Sequence, residues 1–278
     1  MPWSASSLRL HVESALAGRV ASPFRLREAA VSAVVPTGLG ALDELTGGLP
    51  RGCLTEIYGP PCSGRSSILQ SALASRTKAA EACALVDAQD SFDPIGARNS
   101  GVELSRLLWV RCQGIDPALR SLDLLLHGGG FGFVALDLGD IPVRLVRQVQ
   151  LNVWFRMRRA VEDTSTVFVV VTQESNAKSC ASLALRVERE ATKWSLPIQK
   201  NGKKAAHTPG CLLDGSTNSA EMVRTFLRHK KPLFIDRPKI TGAASTAHFQ
   251  LSSYKSAKEE KLPETEFFPA AEAMSEWR

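Results

Sequence analysis

The sequence of 278 residues lacks any apolar run of about eighteen residues, the length that a membrane-spanning helix needs. Its first residues, MPWSASSLRLHVES, lack the apolar core of a signal peptide. We therefore expect no membrane span, no export and a cytoplasmic location. The six cysteines show neither a C-x-x-C pair nor a Cys/His spacing typical of zinc sites. They are expected to be reduced core thiols, not metal ligands or a disulfide framework.

The composition is that of a soluble globular protein, with 44% apolar and 22% charged residues. The length suffices for one sizeable domain with appendages. The formal net charge is +6. This charge permits a polyanionic partner, but it bears on association and not on the fold.

The stretch from Leu54 to Ile68, LTEIYGPPCSGRSSI, matches a phosphate-binding loop at every position except one. Gly59 and Gly64 bracket four residues, as in the pattern G-x-x-x-x-G-K-S/T, but Arg65 stands where the pattern has lysine. An apolar run precedes the loop, and the residues after it favour a helix whose N-terminus attracts phosphate. Taken alone, an ordinary Gly/Pro/Ser connection is an equally good interpretation. The predicted nucleotide-binding residues are Gly59, Pro60, Pro61, Cys62, Ser63, Gly64, Arg65, Ser66 and Ser67.

Apolar strands alternate with helices from residue 53 onward, which predicts an α/β fold with a mainly parallel central sheet covered on both faces. The predicted strands are Cys53–Tyr58, Cys83–Val86, Leu107–Val110, Phe131–Leu136 and Thr166–Val171. The predicted helices are Arg65–Lys78, Pro117–Leu126 and Pro142–Val161. The stretches Leu183–Glu190 and Lys193–Ile198 are predicted to pair as a hairpin at the edge of the sheet.

Three regions are predicted along the chain: an N-terminal helix and linker over residues 1–34, a nucleotide-binding core over 35–199 and a tail over 200–278. The first contains a small helix over Ser4–Ala17. Beyond Lys200 the apolar pattern thins, which predicts a largely disordered tail. The end of the tail carries Phe267, Phe268, Met274 and Trp277 among acidic residues, and is either a docking motif or without function.

Segments on both sides of the loop resemble the RecA family. The upstream segment, Val35 to Pro60, reads VPTGLGALDELTGGLPRGCLTEIYGP, and the downstream segment, Cys83 to Val110, reads CALVDAQDSFDPIGARNSGVELSRLLWV. The resemblance covers roughly residues 35 to 190 and is far more specific than the loop alone. It implies a RecA-like P-loop core with ATP and Mg²⁺ as its ligands.

This resemblance also implies roles for three residues beyond the loop. Asp137 matches the Walker B acid, which together with Ser66 would hold Mg²⁺, although an Asp after a strand is more often a turn residue. Gln173 matches the glutamine that senses the terminal phosphate. Gln89 stands where the family has the glutamate that activates the attacking water, and a glutamine cannot accept that proton at neutral pH.

The arginine of the loop keeps a positive charge, but its planar fork does not replace a compact ammonium group. Together with the missing glutamate, it predicts weak or absent hydrolysis. Whether ATP is still bound stays open at this point.

RecA recombinases carry two mobile DNA-binding loops, one after the Walker B strand and one after the sensor glutamine. The corresponding stretches here, Leu138–Ile141 and Glu174–Ser182, are predicted to be turns. The helix predicted over Pro142–Val161 has no acid before Glu162. Its basic surface is either solvated or in contact with nucleic acid or an acidic protein, through Arg144, Arg147, Arg158 and Arg159.

The short loops and altered ATPase positions resemble the ImuA branch of the RecA family. The resemblance implies a DNA-repair adaptor of the SOS response and of translesion synthesis. Its implied partners are an ImuB-like relative of the Y-family polymerases, an error-prone polymerase and RecA itself, together with weak non-specific DNA binding. Two alternatives remain: an active DNA-dependent ATPase or recombinase, and a nucleotide-free interaction scaffold.

Overall fold

The computed structural model describes residues 33–195, 212–225 and 246–252. Its strands are β1 (Val34–Val35), β2 (Leu49–Pro50), β3 (Cys53–Tyr58), β4 (Cys83–Asp87), β5 (Leu107–Arg111), β6 (Phe133–Asp137), β7 (Val167–Thr172), β8 (Leu183–Ser195), β9 (Leu212–Thr225) and β10 (Thr246–Ser252). Its helices are α1 (Gly40–Thr46), α2 (Arg65–Lys78), α3 (Pro94–Asn99), α4 (Ile115–Gly128), α5 (Val143–Val146) and α6 (Leu151–Val161). The predicted N-terminal helix and the aromatic end of the tail lie outside the described residues.

The main sheet has eight strands in the order β10-β9-β8-β3-β7-β6-β4-β5. The strands β3 to β8 run parallel to their neighbours within this set. At one side the sheet continues through the antiparallel strands β9 and β10. The predicted α/β fold with a mainly parallel sheet is therefore confirmed.

Apolar side chains fill both faces of the sheet. One core joins Ile57 of β3 to Leu73 of α2, and the other joins Leu54 of β3 to Leu122 of α4 and Trp154 of α6. This arrangement explains why the parallel strands read as nearly continuous apolar runs. None of the helices in the described part of the chain is long and apolar enough to cross a membrane.

Helix α2 and strand β3 have the predicted bounds, but the helix predicted over Pro142–Val161 is broken. It forms α5 and α6, separated by a stretch in which Gln150 is extended (φ −66°, ψ 147°). The β-branched residues Val146, at the end of α5, and Val149, within the break, are poor helix formers. Both pack against the core, so the segment keeps its apolar contacts without a continuous helix.

The hairpin predicted within residues 183–198 is wrong. Strand β8 continues through Ala191 and Thr192 to Ser195, because no turn-forming residue interrupts it, and its antiparallel partner is β9. The pairing of β8 with β9 shifts its register between Arg189 and Ala191, as at a β-bulge.

Strands β9 and β10 also correct the expectation of low order for residues 212–225 and 246–252. They are ordered because Ala220 and Phe249 are buried in the core on the α2 side of the sheet. The predicted division at residue 199 remains a prediction.

Candidate nucleotide-binding site

The candidate loop, Gly59 to Arg65, connects the end of β3 to the start of α2. Gly64 caps the helix in the left-handed conformation (φ 97°), which glycine adopts without strain. The Ser63 N–H donates to the Pro60 carbonyl at 3.2 Å and closes a turn within the loop. The N–H groups of Gly64, Arg65 and Ser66 form no hydrogen bond within the described part of the chain. Such N–H groups at a helix N-terminus can bind an anion.

The three strands β8, β9 and β10, which we call the extension, pack against this loop. A Cβ atom on Gly59 would overlap the carbonyl oxygen of Val187 in β8. A Cβ atom on Gly64 would lie 2.5 Å from the Asn218 side-chain nitrogen and 2.9 Å from Leu251. Both glycines are therefore required for the close approach of the extension, as well as for the shape of the loop.

A cavity of about 320 Å³ lies between the loop and the extension. The loop contributes its residues 62–67 and the extension contributes polar and apolar side chains in nearly equal number. The lining residues from the extension are Arg189, Thr192, Leu213, Gly215, Ser216 and Leu251. The predicted residues Cys62 to Ser67 therefore face a common space, whereas Gly59, Pro60 and Pro61 do not line it.

The Arg65 side chain is buried, with 5% of its surface exposed, and points toward the parallel strands. Its guanidinium group donates to the carbonyl oxygen of Thr172 at 2.6 Å and to that of Gly139 at 3.4 Å. Thr172 is the last residue of β7, and Gly139 lies two residues after the end of β6. Burial lowers the pKa of Arg65, and the nearby Asp137 and Asp140 oppose that shift. Arg65 thus joins α2 to two strand ends, which we call the Arg65 clamp.

Asp137 ends β6 beside this clamp. Its Oδ1 atom accepts a hydrogen bond from the Gly139 N–H at 2.8 Å. Burial raises the pKa of Asp137 to about 6, against the effects of the Gly139 N–H and of Arg65. Within the described residues, no three His, Cys, Asp or Glu side chains come together as a metal site. A Mg²⁺ ion here would depend on phosphate oxygens in addition to Asp137 and the exposed Ser66, which is usual for this ion.

Gln173 lies directly after β7 and contacts the loop that follows β6. Its side-chain amide donates to the carbonyl oxygens of Gly139 at 2.9 Å and Ile141 at 3.2 Å. Gln173 therefore links the two connections that match the DNA-binding loops of recombinases.

A buried acid, Glu56 of β3, fixes the second of these connections. Its carboxylate accepts hydrogen bonds from the Ser175 hydroxyl at 2.8 Å and from the backbone N–H groups of Asn176 at 2.6 Å and Ala177 at 2.8 Å. The sequence prediction missed Glu56, although an acid inside an apolar strand is a signal that could have identified it. It also missed Asn218, which lies where the apolar pattern is thin.

Gln89 lies in the connection between β4 and α3 and is exposed. Its backbone N–H donates to Asp87 Oδ1 at 3.2 Å. The next residue, Asp90, forms a bidentate ion pair with Arg111 at 2.6 and 2.5 Å. These contacts hold the backbone on both sides of Gln89 while its side chain remains at the surface.

The four arginines predicted to form one basic surface are distributed over the two helices and the break between them. Arg147 pairs with Glu174 at 2.5 Å, and Arg158 pairs with Glu162 at 3.2 Å. Arg144 and Arg159 are exposed and have no ion-pair partner among the described residues. Acids from other elements therefore neutralise part of a surface that is uniformly basic in the sequence of the helix.

Comparisons with known proteins agree with this architecture. The family described as the RecA N-terminal domain matches residues 21–143. Protein RecA of Leifsonia xyli subsp. xyli is 32% identical over 156 residues, which cover 50% of this chain and 44% of that protein. Protein RecA of Salinispora arenicola is 32% identical over 170 residues, which cover 55% of this chain and 49% of that protein.

The matching region spans about half the length of these curated relatives. The similarity includes the candidate loop, β4 and the strand that ends in Asp137. Together with the fold, it shows that this part of the chain is similar to the RecA N-terminal domain.

Proposed function

We propose that the chain is a RecA-like accessory protein of DNA repair, of the ImuA type, that binds ATP and hydrolyses it poorly. It would act in the SOS response as an adaptor for translesion synthesis. Its proposed partners are an ImuB-like polymerase relative, an error-prone polymerase and RecA.

The observation that carries the proposal is the Arg65 clamp. A cation that assists phosphoryl transfer must reach the phosphate oxygens, but this guanidinium group is committed to the backbone carbonyls of Thr172 and Gly139. Moving it would remove two hydrogen bonds, each worth about 0.5–1.5 kcal/mol, although the Gly59 N–H and the Gln173 amide would still donate to the carbonyls of Thr172 and Gly139 respectively. The clamp therefore favours a structural role for Arg65 over a role in transferring phosphate.

The water-activating position supports the same conclusion. Gln89 has no group that can accept a proton from water at neutral pH, and general-base assistance is typically worth about 10²–10⁴-fold in rate. Its side chain is exposed, on a connection that Asp90 and Arg111 hold in place. Weak turnover is expected even with ATP bound.

The two fixed connections support an adaptor over a recombinase. The first occupies residues 138–142, and the second, residues 173–182, is held by the buried Glu56 carboxylate. Gln173 joins the two. Segments held in this way are poorly suited to follow and stretch a DNA strand, in contrast to mobile loops.

The loop retains features that suit a phosphate group. The N–H groups of Gly64, Arg65 and Ser66 have no hydrogen-bond partner within the described residues, and the buried Ser63 Oγ atom has none either. Bound ATP–Mg²⁺ would supply the phosphoryl group and a cation that neutralises its charge. Ser66 and Asp137 are the residues proposed to hold the cation, and the backbone of the loop would bind the phosphates.

The test combines nucleotide binding with turnover. For the unmodified protein we expect ATP–Mg²⁺ to raise the melting temperature by mass action, with turnover at background and no stimulation by single-stranded DNA. The double variant Arg65→Lys, Gln89→Glu should gain measurable hydrolysis, because it supplies a free ammonium group and a base. The single variant Gln89→Glu, which keeps the clamp, is the matched control.

The outcomes separate the three functional classes. Robust hydrolysis by the unmodified protein would establish an active ATPase and contradict the proposal. Absence of binding by both forms would favour the nucleotide-free scaffold. Co-purification from DNA-damaged cells with the polymerase partners, and its loss in the absence of damage, would test the adaptor role itself.

A further inference from the structure

Asn218 of β9 is fully buried and contacts the phosphate loop. Its side-chain nitrogen donates to the carbonyl oxygen of Ser63, and its Oδ1 atom accepts from the Ser216 hydroxyl at 2.6 Å. Only the nitrogen can face the Ser63 carbonyl, since the opposite orientation would place two acceptors together. The orientation of the Asn218 amide is therefore determined by its neighbours.

This hydrogen bond fixes one peptide group of the loop. In a planar trans peptide the C=O and the following N–H point in opposite directions. With its C=O held toward Asn218, the Ser63–Gly64 peptide must direct the Gly64 N–H away from the Asn218 side chain. Glycine rotates its peptide groups at low cost, so the Asn218 contact restricts an orientation that Gly64 alone would not fix.

Two further observations indicate that an oxyanion is the group recognised by the loop. The Ser63 Oγ atom is buried, at 1% exposure for the residue, and has no hydrogen-bond partner among the described residues. Ser63 also lines the cavity of about 320 Å³ beside the N-terminus of α2. A buried hydroxyl without a partner is costly unless a ligand or water satisfies it.

We propose that Asn218 is a positioning residue for phosphate binding: it holds the Ser63–Gly64 peptide so that the Gly64 N–H is available to a phosphoryl oxygen. The loop then binds phosphate through its backbone, while Arg65 serves as a clamp. This inference rests on the proposed function, because the phosphoryl group is taken to belong to a nucleotide.

The test uses Asn218→Leu, which keeps nearly the size of the side chain but has no group that can donate to the Ser63 carbonyl. We expect the Kd for ATP to rise about fivefold or more, the value of one hydrogen bond. The Gly64 amide resonance should shift, and its hydrogen exchange should change, in the absence of nucleotide. The matched control is Ala220→Gly, which weakens the same strand at a neighbouring buried position without touching the loop.

The outcomes either support or overturn the positioning role of Asn218. A shift of the Gly64 amide together with a higher Kd in Asn218→Leu, but not in Ala220→Gly, supports the positioning role. If the unmodified protein binds no ATP, the proposed function is contradicted, and the Gly64 amide alone then tests whether Asn218 holds the Ser63–Gly64 peptide. Equal effects of the two variants, on the amide and on the Kd, would overturn the positioning role. If Asn218→Leu fails to fold, Asn218→Ala provides the same test, because it removes the donor without adding bulk.

Discussion

Two regions of the molecule contact the phosphate loop from different directions, and they do so in different ways. The parallel strands β6 and β7 contact it through the Arg65 side chain, by hydrogen bonds to carbonyl oxygens at their ends. The extension contacts it through backbone and buried side chains that require Gly59 and Gly64 to be glycine. The cation of the motif and its two glycines are thus all used for packing within the protein.

The comparison shows that the same residues of a sequence motif can serve two structural purposes at once. The glycines permit the turn of a phosphate loop, and they also permit the approach of Val187, Asn218 and Leu251. The arginine retains a positive charge, but its hydrogen bonds serve the strand ends. Disrupting the contacts of either region should therefore affect the loop, and the two losses in unfolding free energy should differ in size.

The largest effect is expected from removing the strands β9 and β10 of the extension. A chain that ends at residue 199 loses Ala220 and Phe249 from the core and exposes Leu185 and Val187. At about 1.5–3 kcal/mol for each large apolar side chain, the loss in unfolding free energy should be at least about 4 kcal/mol. Urea denaturation measures it directly. A chain ending at residue 252, which keeps every described strand, is the control, and equal stability of the two truncations would show that the extension does not support the core.

The next effect concerns the Arg65 clamp. Arg65→Met keeps the apolar stem and removes the guanidinium group, so the carbonyls of Thr172 and Gly139 lose a donor. Each carbonyl keeps one other donor, the Gly59 N–H or the Gln173 amide, so we expect a loss of about 1–3 kcal/mol in unfolding free energy, from two hydrogen bonds. Arg98→Met, at an exposed arginine of α3, is the control and should change stability by less than about 0.5 kcal/mol. Similar values for the two variants would mean that Arg65 does not join the helix to the strands.

A smaller effect, with a defined pH dependence, is expected at Asp137. Because its pKa is raised to about 6 in the folded protein, the folded state favours the protonated form. Protonated Asp137 therefore adds to the unfolding free energy at low pH, and this added stability is lost as the pH rises through about 6. Asp137→Asn is neutral throughout and should avoid this loss.

The measurement is urea denaturation of both forms between pH 4 and pH 7.5. Between low and neutral pH, the unfolding free energy of the variant should rise by about 1–2 kcal/mol relative to that of the unmodified protein, after allowance for partial exposure of Asp137 to solvent. Burial is the main cause of the raised pKa, Asp87 and Asp140 add to it, and the Gly139 N–H and Arg65 oppose it. A difference that stays constant over this pH range would contradict the shift.

The parallel half of the fold could be predicted because its signals are local. Continuous apolar strands, the Gly-rich loop and the bounds of α2 all follow from neighbouring residues in the sequence. The extension could not be predicted in the same way, because β9 and β10 bury few apolar residues, and the pairs β8–β9 and β9–β10 join strands that are separated in the chain. Their small and polar residues are also typical of a disordered tail.

The same distinction holds for the site. Asp137 and Gln173 were predicted as strand ends, and both lie at the carboxyl edge of the sheet near Arg65. The direction of the Arg65 side chain could not be predicted, since a guanidinium group can donate to phosphate oxygens or to carbonyl oxygens. Likewise, no local pattern marks Asn218 as a contact of Ser63.

The smallest effect is expected at the basic surface of α5 and α6. Its four arginines fall into two groups of two, which differ in whether an acidic residue contacts them. Arg147 and Arg158 already have acidic partners, whereas Arg144 and Arg159 have none among the described residues. If this surface binds single-stranded DNA, replacing Arg144 and Arg159 by alanine should reduce the slope of log K against log salt by up to about 1.4, from about 0.7 per neutralised phosphate. Replacing Arg147 and Arg158 should reduce it by less, because Glu174 and Glu162 compete with phosphate. Fluorescence anisotropy over a salt series measures both slopes, and melting temperatures check that the variants are folded. Equal slopes for the two pairs would show that the ion pairs do not limit DNA contact, and unchanged slopes in both would assign this surface to solvent or to a protein partner.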